Sequence, residues 1–231
     1  MKPISESILI HTHLGLGDMF ICNGLIHRLV SESNYKTIYI VCKKKYLTTV
    51  QKLYEGFSNI QVVPISEGNE YEEVFNLDLD ANILRVGHEW LRSDLNFDES
   101  FYNQLGYNIS NKHDWCSIPR NQETEQACYD AVVTEYPYIF VHDKSSTGDY
   151  DLRISSKLPI IRPNDMRFNL LDYLKVIDNA EEIHCLNSSF LNMIDLCIQK
   201  ESMYFHKAQK GQNYPQLNPA WTIINYESRT S

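Results

Sequence analysis

The sequence predicts an α/β protein made of two halves with a cleft between them. Short apolar runs typical of strands alternate with segments of helical spacing, first over residues 7–64 and again over residues 138–206. A polar, uneven stretch over 119–134 separates the two series. A single doubly wound domain with an irregular middle is the alternative to this arrangement.

The first half opens with the apolar run Ser7 to Thr12, which is followed by two spaced glycines and the acid Asp18. Apolar residues at helical spacing follow, so the segment predicts a strand, a tight turn and a helix. Phe97 to Leu105 predicts a later helix that ends at Gly106 as its C-cap. The other elements expected in this half are strand 7–12, helix 19–32, strand 37–42, helix 45–56, strand 60–64 and a short strand at 73–77.

The second half repeats the alternation after the polar stretch, and its tail is less regular. Because strands that alternate with helices pair in parallel, this half predicts a second parallel sheet. The expected elements are strand 138–142, strand 158–161, helix 169–178, strand 181–186, helix 189–198 and strand 202–206.

The glycine turn after the first strand predicts a ligand crevice. Gly15 and Gly17 lack a Cβ, which lets the backbone turn sharply and approach a bound group. The dinucleotide fingerprint requires a small residue at position 20, where this chain has Phe20. It also requires an acid after the second strand, where the chain has the basic run 43–45. The pattern therefore disfavours a nicotinamide enzyme.

Asp18 has two interpretations, which are compatible. The carboxylate can serve as the N-cap of the first helix by accepting hydrogen bonds from first-turn amides. It can also act as a general base for a hydroxyl nucleophile at the lip of the crevice.

A second candidate site follows the strand 138–142. Ligands of open α/β sheets bind beyond the carboxyl ends of strands, where this chain places a loop that begins with Lys144 and Ser145. Lys144 and Arg153 can neutralise phosphate oxygens. Ordinary surface charge is the alternative for both side chains.

The segment 180–190 predicts another strand, a polar turn and a helix start. Ser188 or Ser189 would cap that helix, whose first amides and positive dipole end suit a diphosphate. Asn187 lies in the same turn. His142 and His184 lie in or beside strands, where a histidine is more often a packed core residue, so both are secondary candidates.

Composition narrows the class of protein. The 231 residues are 43% hydrophobic and carry a net charge of −9. The acidic balance argues against nucleic acid as a partner. We expect no transmembrane segment and no signal peptide, and hence a cytoplasmic protein. The six cysteines form no C-x-x-C pair, so buried thiols are expected rather than a zinc site or disulfides.

The two motifs together resemble the small GT-B-type glycosyltransferases, in the neighbourhood of the heptosyltransferases. The Leu16-Gly17-Asp18 turn with its helix is similar to the first loop of that group. Asn187-Ser188-Ser189-Phe190, after Ile183-His184, is similar to its nucleotide-sugar-binding strand and helix. The segments 100–106 and 118–120 also resemble uncharacterised viral and bacterial proteins placed near these enzymes. The chain is shorter than is usual in the group, which leads us to expect a compact form.

The resemblance implies two Rossmann-like domains facing across a cleft, a compact GT-B-like arrangement. Residues 1–120 would form the acceptor-side domain and residues 121–231 the nucleotide-sugar-binding domain. The reaction implied is metal-independent transfer of a sugar from a nucleotide-diphosphate sugar to a hydroxyl of a glycan or other small acceptor, with no further cofactor. Asp18 would be the catalytic base. The nucleotide-sugar-binding residues would be Gly15, Gly17, His142, Lys144, Ser145, Arg153, Asn187, Ser188 and Ser189.

Three rival functions remain open. A metal-dependent GT-A-type transferase is suggested by two D-x-D patterns, at 78–80 and 149–151, that can hold a divalent ion against a diphosphate. A non-catalytic nucleotide-sugar-binding module would keep the crevice without turnover. A nucleotide-sugar epimerase of the same two-domain form would need no acceptor.

Overall fold

Two separate parallel sheets organise the protein in a computed structural model, which describes residues 6–226. The chain divides into two compact units, Met1–Pro119 and Arg120–Ser231. Each unit has one principal sheet of its own with helices in the crossover connections. The α/β class with parallel sheets is therefore confirmed. That the two halves face each other across a cleft stays a prediction.

The first unit is built on a four-stranded sheet of order β3-β2-β1-β4 in which all pairs are parallel. Ile8, Leu9 and Ile10 of β1 are buried because the strand lies between two neighbours. The elements of this unit are β1 (Ser7–His11), α1 (Leu16–Ile21), α2 (Asn23–Glu32), β2 (Thr37–Lys43), α3 (Leu47–Leu53), β3 (Ile60–Ile65), α4 (Glu70–Phe75), β4 (Asn82–Arg85), α5 (Phe97–Gln104) and α6 (Asn111–Trp115).

The strands and helices expected up to residue 65 are confirmed within a few residues, although the first helix is divided at Cys22 into α1 and α2. The strand expected at 73–77 is wrong, because this segment belongs largely to α4. Three glutamates lie in the first turn of α4, where carboxylates favour the positive end of the helix dipole. One of the two edge strands of the sheet is β4, which was not predicted from the sequence.

The helix expected around 97–105 is confirmed as α5. Its C-cap is Leu105, and Gly106 follows with a φ of +77°, a left-handed conformation that glycine adopts without strain. The predicted role of Gly106 at this helix end is thus correct to one residue.

The second unit is built on a five-stranded sheet of order β11-β10-β9-β5-β8, again with parallel pairs throughout. A short antiparallel hairpin, β6 with β7, follows β5 in the sequence. The elements are α7 (Gln122–Val132), β5 (Ile139–His142), β6 (Lys144–Ser145), β7 (Gly148–Asp149), β8 (Ile160–Ile161), α8 (Leu174–Asn179), β9 (Glu182–Cys185), α9 (Ser189–Cys197), β10 (Met203–Lys207) and β11 (Trp221–Asn225).

Two expectations for this unit are corrected. The polar stretch 119–134 is mostly helical, because Asn121 caps α7 by accepting hydrogen bonds from the amides of Glu123 and Thr124. The tail contains β11, which extends the sheet by pairing with β10. In β11 only Trp221 is buried and Thr222 interrupts its apolar residues, whereas the first three residues of β5 are consecutive, apolar and buried.

Candidate functional site

The turn after β1 is left-handed at Leu14 rather than at a glycine. Leu14 has a φ of 65°, whereas Gly15 is extended with a φ of −71° and a ψ of 146°. Gly15 is needed for space, because a Cβ at this position would lie 2.6 Å from Oδ2 of Asp18. Gly17 lies inside the first turn of α1. The expectation that the glycines make the sharp bend is therefore wrong in detail.

Asp18 is the third residue of α1 and not its N-cap, which is Gly15. The Gly15 amide donates a hydrogen bond of 3.0 Å to Oδ2 of Asp18, so the carboxylate stabilises the helix start from within the first turn. The side chain is half-buried. Burial raises the pKa of Asp18 to about 7, although the Gly15 hydrogen bond and the Lys43 charge favour the ionised form. A carboxylate with this pKa can accept a proton near neutral pH.

A group of rings and one guanidinium at the carboxyl ends of β1 and β4 was missed in the sequence analysis. His11 ends β1 and pairs in register with Arg85, the last residue of β4. The His88 ring lies 4.5 Å from that of His11 and 4.9 Å from that of His13. The pattern His11-Thr12-His13 at the end of an apolar strand was the feature of the sequence that could have indicated this group.

In the second unit, His142 at the end of β5 contacts the turn that follows β9. Oγ of Ser188 accepts the amide of Leu191 at 3.3 Å and lies 2.9 Å from Nδ1 of His142. Ser188 is thus the N-cap of α9, and Ser189 is the first residue of that helix. The His142 ring packs on Phe190 at 4.5 Å. Burial lowers the pKa of His142 to about 4, so the imidazole is neutral at pH 7.

Asn187 is held by Gln209, a residue that the sequence analysis missed. The amide of Asn187 donates to Oε1 of Gln209 at 3.2 Å, and Nε2 of Gln209 donates to the Asn187 carbonyl at 3.3 Å. Gln209 follows β10, and its side chain is buried. The paired contacts fix the backbone immediately before the N-terminus of α9.

Lys144 and Ser145 lie in the β6–β7 hairpin rather than in an irregular loop. The Lys144 ammonium is exposed and lies 3.8 Å from Oδ2 of Asp149. Oγ of Ser145 lies 2.8 Å from Oγ1 of Thr147, and Gln209 Nε2 donates to this Thr147 oxygen at 3.4 Å. Gln209 therefore links the hairpin to the Asn187 turn.

Arg153 packs against Tyr226. Its guanidinium lies 4.6 Å from the centre of the Tyr226 ring, and its amide donates to the Tyr226 hydroxyl at 2.7 Å. Within residues 6–226, no hydrogen bond or ion pair joins Lys144 or Arg153 to the turn at 187–189. A second cation near β5 was missed: Nε of Arg162 donates to Oδ2 of Asp143 at 2.7 Å.

The two D-x-D patterns lie in different units, one before β4 and one beginning in β7. In the described residues, no group of three or more His, Cys, Asp or Glu side chains is arranged to hold a metal ion. Over the same residues, no helix has both the length and the apolar character needed to cross a membrane.

Comparison with known proteins finds a similar structure but no protein related in sequence. No family model matches the chain, and no curated protein matches it. Among solved structures, the chain is similar to the crystal structure of the glycosyl transferase family 9 from Veillonella parvula DSM 2008. The TM-score is 0.60 at 13% sequence identity, and the match covers 98% of this chain and 87% of that chain. The protein therefore shares the fold of this family 9 structure.

Proposed function

We propose that the protein is a glycosyltransferase of the heptosyltransferase-like type, which transfers a sugar from a nucleotide-diphosphate sugar to a hydroxyl of a glycan or other small acceptor. The observation that carries the proposal is the fold likeness to the glycosyl transferase family 9 structure over 98% of the chain. The polar groups at the carboxyl ends of both sheets support it, because open α/β sheets bind their ligands at these ends.

The donor diphosphate is assigned to the N-terminus of α9. The first amides of a helix have no partner within the helix and lie at its positive end, so they bind phosphate oxygens. Ser188 uses its side chain to satisfy the Leu191 amide, which leaves the amides of Ser189 and Phe190 for the ligand. Gln209 holds the preceding backbone in place. His142, Lys144, Ser145, Arg153 and Asn187 complete the proposed donor site.

Asp18 is the proposed general base. Its carboxylate takes the proton of the acceptor hydroxyl while the hydroxyl oxygen forms a bond to the anomeric carbon. The bond from that carbon to the diphosphate oxygen breaks, and the nucleoside diphosphate leaves with the electron pair. A base with a pKa near 7 combines a useful ionised fraction with sufficient basicity at neutral pH.

Charge on the leaving diphosphate is stabilised, in this proposal, by the α9 amides together with Lys144 or Arg153. Fixed dipoles and cations aimed at developing charge lower the barrier without rearranging during the reaction. The proposed reaction therefore uses these groups in place of a divalent ion.

Donor binding and turnover test the proposal with the purified chain. We expect one nucleotide-diphosphate sugar to raise the melting temperature, both with magnesium and with EDTA, while NAD and NADP do not. A ligand at about 100 times its Kd adds about 2.7 kcal/mol to the free energy of unfolding, which a thermal shift detects. No shift with UDP-, GDP-, ADP-, CMP- or dTDP-linked sugars would overturn the proposal.

Substituting Asp18 separates a transferase from a binding module. Asp18→Asn should retain the donor-induced shift and lose at least about a hundredfold in transfer rate, as removal of a general base does. Asp78→Asn is the matched control, since it removes an exposed carboxylate of the same unit. A wild-type protein that binds donor without any turnover is a binding module. Loss of activity with Asp78→Asn or EDTA would instead indicate the metal-dependent GT-A type.

A further inference from the structure

His11 is a fully buried histidine whose two ring nitrogens both lack a hydrogen-bond partner among the described residues. It belongs to the last position of β1, at the sheet end where ligands of this fold class bind. Its register partner Arg85 also has a buried nitrogen, Nε, without a partner. Three unsatisfied polar atoms therefore belong to two register partners at the carboxyl end of the first sheet.

The neighbouring groups are satisfied by one another. Nη2 of Arg85 donates to the Tyr71 hydroxyl at 2.6 Å, and this hydroxyl lies 2.8 Å from Nδ1 of His88. Nε2 of His88 donates to the Thr12 carbonyl at 2.9 Å, which leaves Nδ1 to accept from Tyr71. This ordered series of hydrogen bonds includes no atom of His11, so it does not explain why position 11 is a histidine.

A buried polar group without a partner costs about 1–3 kcal/mol, and a phenylalanine ring of similar size would avoid that cost. A ligand that binds the imidazole would explain the residue. The fixed positive charge of Arg85 disfavours a cation at this point, and the Arg85 Nε–H is a donor without acceptor capacity. A ligand oxygen that bears negative charge fits both groups.

Arg85 already binds a carboxylate. Its Nη1 forms an ion pair with Glu89, a side chain that is 57% exposed. Glu89 is thus an internal oxyanion on the same guanidinium as the free Nε, and its negative charge opposes the binding of a second oxyanion there.

We propose that His11 and Arg85 form an oxyanion-binding site at the carboxyl ends of β1 and β4, which takes a carboxylate, sulfate or phosphate group in competition with Glu89. The site belongs to the first unit, and the proposal does not depend on transferase activity. The oxyanion is either a free inorganic ion or the acidic group of a sugar.

Binding at this site is coupled to proton uptake. Burial, followed by the charges of His88, Arg85 and His13, lowers the pKa of His11 to about 4, so the free imidazole is neutral. The groups that face it are His13 of the same segment, Arg85 of β4, His88 after β4 and Tyr71 of α4, and Glu89 acts on it through its ion pair with Arg85. An anion in contact with the ring stabilises the imidazolium, which takes its proton from solvent. Affinity should therefore fall as the pH rises.

Sulfate is the first probe, because its charge stays constant between about pH 5 and pH 8. We expect sulfate to bind the wild-type chain at about pH 6, with proton uptake measured by calorimetry in two buffers of different ionisation enthalpy, and to bind about tenfold more weakly at about pH 8. Absence of sulfate binding at about pH 6, or binding without proton uptake, would overturn the proposal.

Glucose 6-sulfate and glucuronate identify the source of the oxyanion. Tighter binding of either sugar than of sulfate, in the same pH-dependent manner, assigns the site to an acidic sugar. Binding of sulfate alone assigns it to a free inorganic ion. Both results support the proposed site, and the donor-binding assay tests the proposed transferase activity separately.

Three variants locate the site. His11→Phe should bind sulfate at least about tenfold more weakly, as loss of a hydrogen bond to a charged group does, with an equal or higher melting temperature. Glu89→Gln should bind sulfate more tightly because it removes the internal competitor. The control is His27→Phe, a partly buried histidine of the same unit that packs on Tyr54 and Phe57. If His11→Phe does not fold, unchanged affinity in Glu89→Gln overturns the assignment.

Discussion

Asp18 is half-buried in the first turn of α1, and its contribution to the stability of the chain depends on whether its carboxyl group is ionised. The pKa of its carboxyl in the folded state is about 7, against an ordinary value of 3.8. Between these values the folded chain binds more protons than the unfolded chain does. The linkage relation then requires the free energy of unfolding to fall as the pH rises through this window.

The corresponding prediction concerns the difference between the wild type and Asp18→Asn. The quantity is the free energy of unfolding of the wild type minus that of Asp18→Asn. It should be highest below about pH 4, fall as the pH rises to about 7, and stay constant at higher pH. Urea unfolding at several pH values measures it. The histidines of lowered pKa contribute with the opposite sign. Both proteins contain them, so their contribution cancels in the difference between the two free energies of unfolding. A difference that does not change between about pH 4 and pH 7 would show that the carboxylate has an ordinary pKa.

Which residues of the site could be predicted depended on whether their partners are close in sequence. Asp18 and Ser188 follow strand-turn-helix patterns whose hydrogen bonds span three residues, so the sequence indicated both positions. Gln209 contacts Asn187 across 22 residues, and Arg85 meets His11 only through strand register. Local spacing carries no information about such pairs.

The N-terminus of α9 is an element whose start depends on one side chain. Ser188 accepts the Leu191 amide and contacts His142, so it joins the helix to the neighbouring strand β5. Ser189 is the next residue and does not serve as the N-cap. The two adjacent serines therefore form a natural pair of test and control.

Ser188→Ala should lower the free energy of unfolding by about 1 kcal/mol, the usual cost of losing an N-cap. Ser189→Ala should change it by less than about 0.5 kcal/mol, because no capping interaction is lost. Chemical denaturation of the three proteins measures both values. Equal effects of the two substitutions would contradict the assignment of Ser188 as the cap.

Elements were predictable where one physical rule dominated. Continuous apolar runs identified β1, β2 and β5, which are buried between neighbouring strands. The edge strands β4 and β11 each have only two adjacent apolar residues, with polar residues on both sides, which is too short a run to indicate a strand. The helix α7 was missed because its polar composition outweighed the Asn121 capping pattern at its start.

On the scale of the whole molecule, residues 6–226 form a hydrophobic core in each of the two units. The first core encloses an ion pair: Nζ of Lys112 donates to Oδ2 of Asp98 at 2.9 Å, and both side chains are buried. Removing one member of such a pair leaves an unbalanced charge in an apolar environment. Stability of the first unit therefore depends on a contact between α5 and α6.

Lys112→Met should destabilise the first unit by about 3–5 kcal/mol, the usual cost of removing one member of a buried ion pair. Hydrogen exchange should show faster opening over residues 6–119 and unchanged protection in the sheet of the second unit. Lys36→Met is the control, because its ion pair with Glu6 is exposed on both sides and should be worth less than about 1 kcal/mol. Equal loss of protection in both units would mean that they unfold together.

Each unit contains two buried free thiols, whose chemical modification can report when that unit opens. Cys22 and Cys42 are buried in the first unit, and Cys128 and Cys185 are buried in the second. Burial raises the pKa of all four thiols, which keeps them protonated and unreactive while the chain is folded. An alkylating reagent therefore modifies each pair only at the moment when its own unit opens. Mass spectrometry of the labelled peptides would then time the opening of each half of this chain without an added probe.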